Sequence, residues 1–144
     1  MLTRADWMSQ IAHAGSMALI ARVPRWDANG LEAVADAPGS SHPLLRSGRL
    51  HAVHACEYGA QAAAIHGALL ARSAQGRCEA GGLLAALREV RLGSPWIALT
   101  QPLEIHACRY AALPTAMQYT FEVWQGETPV ASGRILIALP TAAP

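Results

Sequence analysis

The stretch Ser47-Gly-Arg-Leu-His-Ala-Val-His-Ala-Cys-Glu-Tyr-Gly-Ala-Gln-Ala-Ala-Ala-Ile-His-Gly-Ala-Leu-Leu-Ala-Arg72 decides the fold. It holds no proline, and alanine, the best helix former, dominates it. Read as one helix from Ser47-Gly48 to Arg72, about 25 residues would span roughly 37 Å. Gly59 and Gly67 weaken that helix but allow close packing against a sheet. Almost no charge besides Glu57 lies between Arg49 and Arg72. A carboxylate on so apolar a helix is costly if buried without partners. So sparse a polar face reads as a buried helix with a site on it. The plainer reading, a Glu facing solvent on an amphipathic helix, stays open.

Thr3 is placed to cap a short helix through Asp6, Trp7 and Ile11, ending near His13 and Gly15. Ser16 to Arg25 reads as a strand with Pro24 marking an edge or its end. Asp27-Ala-Asn-Gly30 is a turn, Leu31 to Asp36 a return strand, and Pro38 to Pro43 a loop. Beyond the helix and the loop Ser73 to Gly82, strand-like runs cover Leu83–Leu92, Trp96–Tyr110, Met117–Trp124 and Val130–Leu139. Met117, Tyr119, Phe121 and Val123 alternate with polar neighbours and Trp124, the cleanest period of two in the chain. The order predicts an α+β class: one domain over residues 1–144, with one long helix laid across an antiparallel sheet.

Composition narrows the function classes. A net charge of +1 argues against a nucleic-acid binder. All 11 basic residues are arginine, which pairs bidentately with phosphates and carboxylates. With a single Phe and much Ala, the core relies on small side chains, and a partner copy is expected to cover leftover apolar surface. Cys56, Cys78 and Cys108 show neither close pairing nor metal-ligand spacing, so they read as buried thiols in a reducing compartment. No run reaches transmembrane length and no apolar signal core stands at the start, so the expected location is the cytoplasm, with no membrane contact. No metal site, phosphate-binding Gly loop or dinucleotide fingerprint appears, so no cofactor is expected.

Helical spacing puts Glu57 and Gln61 on one face and His54 close to it. Glu57-Tyr-Gly-Ala-Gln61 is similar to the Glu-x-x-Ala-Gln of 3-hydroxyacyl-carrier-protein dehydratases. His13-Ala-Gly-Ser-Met-Ala-Leu-Ile-Ala-Arg-Val23 resembles their entry strand. With Trp26-Asp27 and Gly48-Arg-Leu50, the match points to a divergent branch resembling the dehydratase-like proteins of aryl-polyene and related pigment synthesis.

The resemblance implies a hotdog fold, a central helix wrapped by an antiparallel sheet, with two copies sharing active sites. It implies removal of water from a 3-hydroxyacyl thioester, held on the phosphopantetheine of acyl carrier protein, to give a trans-2-enoyl thioester in fatty-acid-like or polyene synthesis. Glu57 then handles the 3-hydroxyl and His42 takes the C2 proton, with His54 as the alternative base. Tyr58, Gln61 and the backbone of Gly48 and Arg49, at an expected helix start, contact the substrate, and Arg46 and Arg72 dock the carrier. The assembly is a homodimer, a higher oligomer, or a heterodimer with a second dehydratase. The chain departs from the family's Gly-His-Phe-Pro, fourteen residues before the carboxylate: Pro43 stands there, and His42 one place earlier. His13 is taken as structural, and His51, His66 and His106 as packing or surface groups.

Two other readings stay open. A hotdog thioesterase uses a similar helical carboxylate with water as the nucleophile, and would release free thiol without enoyl product. A degenerate dehydratase would serve as a non-catalytic partner subunit or acyl-chain binder, and would hold carrier protein without turnover.

Overall fold

The computed structural model describes residues 1–6, 18–75 and 83–138. In chain order the strands are β1 (Leu2–Thr3), β2 (Arg22–Trp26), β3 (Gly30–Ala35), β4 (Leu50–His51), β5 (Leu83–Leu92), β6 (Trp96–Ile97), β7 (Leu103–Leu113), β8 (Ala116–Gln125) and β9 (Thr128–Ala138). The helix α1 (Ala55–Gln75) stands between β4 and β5. Among the described residues, seven strands form one sheet in the order β1-β2-β3-β7-β8-β9-β5, while β4 pairs with β6. All the pairings are antiparallel. The sheet wraps α1 in a hotdog fold of the α+β class.

The alternation read in β8 does what it predicts. Tyr119, Phe121 and Val123 are buried towards α1, while Thr120 and Glu122 between them are exposed. Buried residues run almost all the way round α1 from Ala55 to Leu69, with Glu57 and Gly67 half-buried. The single Phe is central to this packing. A Cβ built on Gly59 of α1 would stand 2.5 Å from the Phe121 ring, and one on Gly133 of β9 would stand 2.9 Å from it. The two glycines let helix and sheet close on one aromatic side chain.

The helix begins eight residues later than composition predicts, at Ala55 rather than Ser47. Ser47 (φ 51°) and Gly48 (φ 72°) are both left-handed, as a two-residue hairpin turn of type I′ requires. Arg46 and Arg49 close that turn by exchanging both backbone bonds, at 2.8 and 3.0 Å. Leu50 and His51 then pair with Ile97 and Trp96, and a single 3-10 turn, Ala52–His54, leads into α1. Alanine-rich sequence up to Ala55 therefore yields to a turn and to a tertiary strand pairing. At 21 residues α1 spans roughly 31 Å.

Two further boundaries moved. Of the expected N-terminal helix, a 3-10 turn Arg4–Asp6 is described, with Asp6 Oδ2 accepting from the Thr3 N–H at 2.7 Å. Trp7, Ile11, His13 and Gly15 lie outside the described residues. Among the described residues, regular pairing of the next strand starts at Arg22, and Pro24 sits inside β2; Ser16 lies outside them. The β2–β3 register slips between Arg22 and Arg25, so the residue with no N–H falls where the ladder is already interrupted.

Candidate active site

Glu57 lies in the first turn of α1, where the helix dipole favours a negative charge. Its side chain is half-buried, and its Oε1 accepts from Gln61 Nε2 at 3.2 Å. Gln61 has no exposed surface, and its Oε1 accepts from the Leu19 N–H at 2.8 Å. The amide therefore ties the carboxylate of α1 to the chain entering β2. The i, i+4 spacing read in the sequence is a real contact, but the Gln61 head group is committed to protein partners, not left open to a ligand.

Tyr58, the next residue, is buried and turns the other way. Its Oη lies 3.0 Å from His42 Nε2, and the two rings stack at 6.2 Å with 25° between their planes. The other His42 nitrogen, Nδ1, accepts from the Leu44 N–H at 3.1 Å. His42 is only 9 % exposed. Burial, and after it the nearby His54, hold its pKa below the usual imidazole value. Burial pushes the Tyr58 phenol up to about 12, so it stays a neutral hydroxyl.

His54 closes the 3-10 turn ahead of α1, three residues before Glu57, and is half-buried. Among the described residues no hydrogen bond reaches its imidazole. His51 is spent on the turn itself: its Nδ1 accepts from the Val53 N–H at 3.0 Å, and its ring meets the Trp96 edge at 5.6 Å. Arg49 lies over the same indole, its guanidinium carbon 4.8 Å from the ring centroid.

The structure relocates several expected site residues. Gly48 and Arg49 stand on the hairpin rather than at a helix start, and the Arg49 N–H already donates to the Arg46 carbonyl. A thioester oxygen held by these two amides at a helix N-terminus is therefore not the arrangement present. Arg46 lies near the Glu57 end of α1, whereas Arg72 is fifteen residues past Glu57, roughly 22 Å along the axis. Arg72 lines a cleft of about 450 Å³ with Leu2, Asp6, Trp26, Leu69 and Ser73. Another cleft, of about 310 Å³, lies over the β2–β3 turn beside His106 and Cys108. Neither is lined by Glu57, His42 or His54.

His66 is a strut. Its Nε2–H donates to the Asp27 carbonyl at 2.8 Å, which leaves Nδ1 to accept from the Tyr119 hydroxyl, also at 2.8 Å. Desolvation keeps this fully buried imidazole neutral by lowering its pKa. These links, and the backbone donors of Leu19 and Leu44, were not foreseen from the sequence. Only the buried setting of His66 on an apolar helix hinted at a partner.

The model of the ApeP-like family, described as ApeP dehydratase, matches residues 6–143. Among solved structures, the dehydratase heterocomplex ApeI:P from Xenorhabdus doucetiae is 21 % identical with a TM-score of 0.81, over 92 % of this chain and 89 % of that one. Thioesterase superfamily member 2 from Mus musculus shares the fold at 13 % identity and TM-score 0.60, over 82 % and 80 %. The E. coli PaaI protein from the phenylacetic acid degradation operon does so at 14 % and 0.59, over 81 % and 80 %. No functionally curated protein matches the sequence.

Proposed function

Because the chain belongs to the ApeP-like dehydratase family, we propose that it is a subunit of a dehydratase acting on 3-hydroxyacyl chains carried by acyl carrier protein. The reaction expels water across C2–C3 and leaves a trans-2-enoyl thioester. Hydroxide is a poor leaving group and a C2 proton a weak acid, so one group must protonate the 3-hydroxyl while another accepts the proton. Glu57 hands a proton to the departing oxygen. An imidazole takes the C2 proton, and the electrons of that C–H bond form the new double bond as C3–O breaks.

The observation that carries this reading is the Glu57–Gln61–Leu19 chain of hydrogen bonds, which aims one carboxylate from a helix otherwise buried nearly all round. A surface Glu needs no fully buried amide to hold it. On this reading the substrate lies against Glu57 under a wall supplied by a second chain. That second chain is a dehydratase-like subunit, a pairing supported by the heterocomplex of similar fold. Carrier protein docks beside the hairpin, where Arg46 and Arg49 offer charge to phosphate, and Arg72 belongs to the far end.

The test is dehydration, or the reverse hydration, of carrier-linked 3-hydroxyacyl chains by the chain alone and mixed with a catalytic dehydratase homologue. Turnover that Glu57→Gln removes while the fold persists supports the proposal. An undiminished rate overturns it. Free thiol without enoyl product would assign the thioesterase reaction instead, and carrier binding without turnover in either setting would assign a non-catalytic partner.

A further inference from the structure

We propose that His42 is a positioning residue locked as a hydrogen-bond donor to Tyr58, and that His54 is the imidazole of this chain that accepts the C2 proton. The inference rests on the dehydratase reading for its chemistry, but its structural half stands apart from it.

A general base needs an unprotonated nitrogen facing the substrate. A neutral imidazole has one such nitrogen, and the hydrogen bond made by the other decides which one it is. In His42 the lone pair of Nδ1 is occupied by the Leu44 N–H at 3.1 Å, so the proton sits on Nε2. That N–H faces Tyr58 Oη at 3.0 Å and donates to it. Neither nitrogen is left to take a proton, and at 9 % exposure the ring has little room to turn. The bond does something else: it pins the loop before the Arg46–Arg49 hairpin onto the first turn of α1, next to the residue that carries the carboxylate.

His54 has the opposite character. It is half-buried, and no described residue hydrogen-bonds to its ring. It stands one turn before Glu57, where side chains three apart are neighbours on a helical surface. From there His54 takes the C2 proton while Glu57 protonates the leaving 3-hydroxyl. Afterwards the imidazolium returns its proton to the Glu57 carboxylate, directly or through the product water. Both groups then regain their starting states with no other reactant.

Three measurements test this. Nitrogen-15 NMR of the imidazole rings in the purified chain above pH 7.5 is expected to show His42 as the Nε2–H tautomer; an Nδ1–H tautomer overturns its assignment whatever the activity. In the dehydratase assay, in the assembly that shows turnover, His54→Gln is expected to lower kcat about 100-fold or more, the scale of a lost general base. Deuterium entry at C2 during hydration in heavy water is expected to fall in parallel. His42→Gln keeps a side-chain donor and is expected to retain kcat within about fivefold, whereas His42→Ala loses more and His42→Gln rescues it. A kcat loss confined to His42→Gln, with His54→Gln unchanged, overturns the assignment of the base. Absence of wild-type turnover in every assembly defeats the dehydratase reading and the role of His54 with it, while the tautomer still decides His42.

Discussion

With one end of its amide on the Leu19 N–H and the other on Glu57, Gln61 joins stability to chemistry. Gln61→Leu keeps much of the volume but strips both bonds and leaves a buried N–H unpaired, at a cost of about 1–3 kcal/mol. The urea midpoint is expected to fall at an unchanged slope; an unaltered midpoint would mean the Leu19 contact is idle. His66 predicts an acid sensitivity. Its folded pKa lies below its unfolded value, so the fold favours the neutral ring. That stability is fully present above about pH 6.5 and is lost as pH falls from there through the folded pKa. His42 acts in the same direction. Urea midpoints at pH 7.5 and 5.5 are expected to diverge in the wild type and to converge partly in His66→Gln. The Glu57–Gln61 pair was legible because both lie on one helix, four residues apart. The partners of His66 were not, since Asp27 and Tyr119 lie 39 and 53 residues away.

At the scale of the element, α1 was legible as a helix and as a buried one, but its start was not. Alanine content reports propensity, and propensity is weak beside a closed hairpin and a strand pairing. Ser47-Gly48 was the clue, since the pair supplies the left-handed conformations that a type I′ turn needs. The two mid-helix glycines separate cleanly. Gly59 faces the Phe121 ring at a distance no Cβ tolerates, while Gly67 looks onto Met117 and Tyr119 at 3.7–3.8 Å, ordinary contact. Gly59→Ala is expected to destabilise by about 1–3 kcal/mol through overpacking. Gly67→Ala is expected to be neutral or to stabilise by up to about 1 kcal/mol through helix propensity. Thermal melts of both variants check the pair, and equal shifts would mean the helix does not press on Phe121 as described.

At the scale of the whole molecule, the order of the described strands puts β5 at one end of the sheet with apolar side chains in solvent: Leu84, Leu87, Val90 and Leu92 are each 37–42 % exposed. An open strand edge with such a surface is a template for pairing. Glu89 puts a left-handed residue in the middle of it and holds Arg134 at 3.0 Å, which bends the edge locally. On the proposed pairing, a mixture with a dehydratase-like subunit is expected to sediment as a complex at micromolar concentration and Leu87→Arg to shift it towards separate chains; an unchanged coefficient would overturn β5 as the contact. The sequence predicted a partner from its small-residue composition, but could not say which strand would end the sheet, because strand order depends on pairings between distant segments.

The exposed apolar side chains of β5 also have a consequence for supply in the cell. On the proposed reading, a subunit made in excess of its partner would keep an apolar border that chaperones hold and proteases remove, and its abundance would be set by the scarcer chain rather than by its own synthesis. Expressing it with and without a pairing dehydratase, and comparing half-lives after synthesis stops, would show whether partnership is what keeps this protein in being.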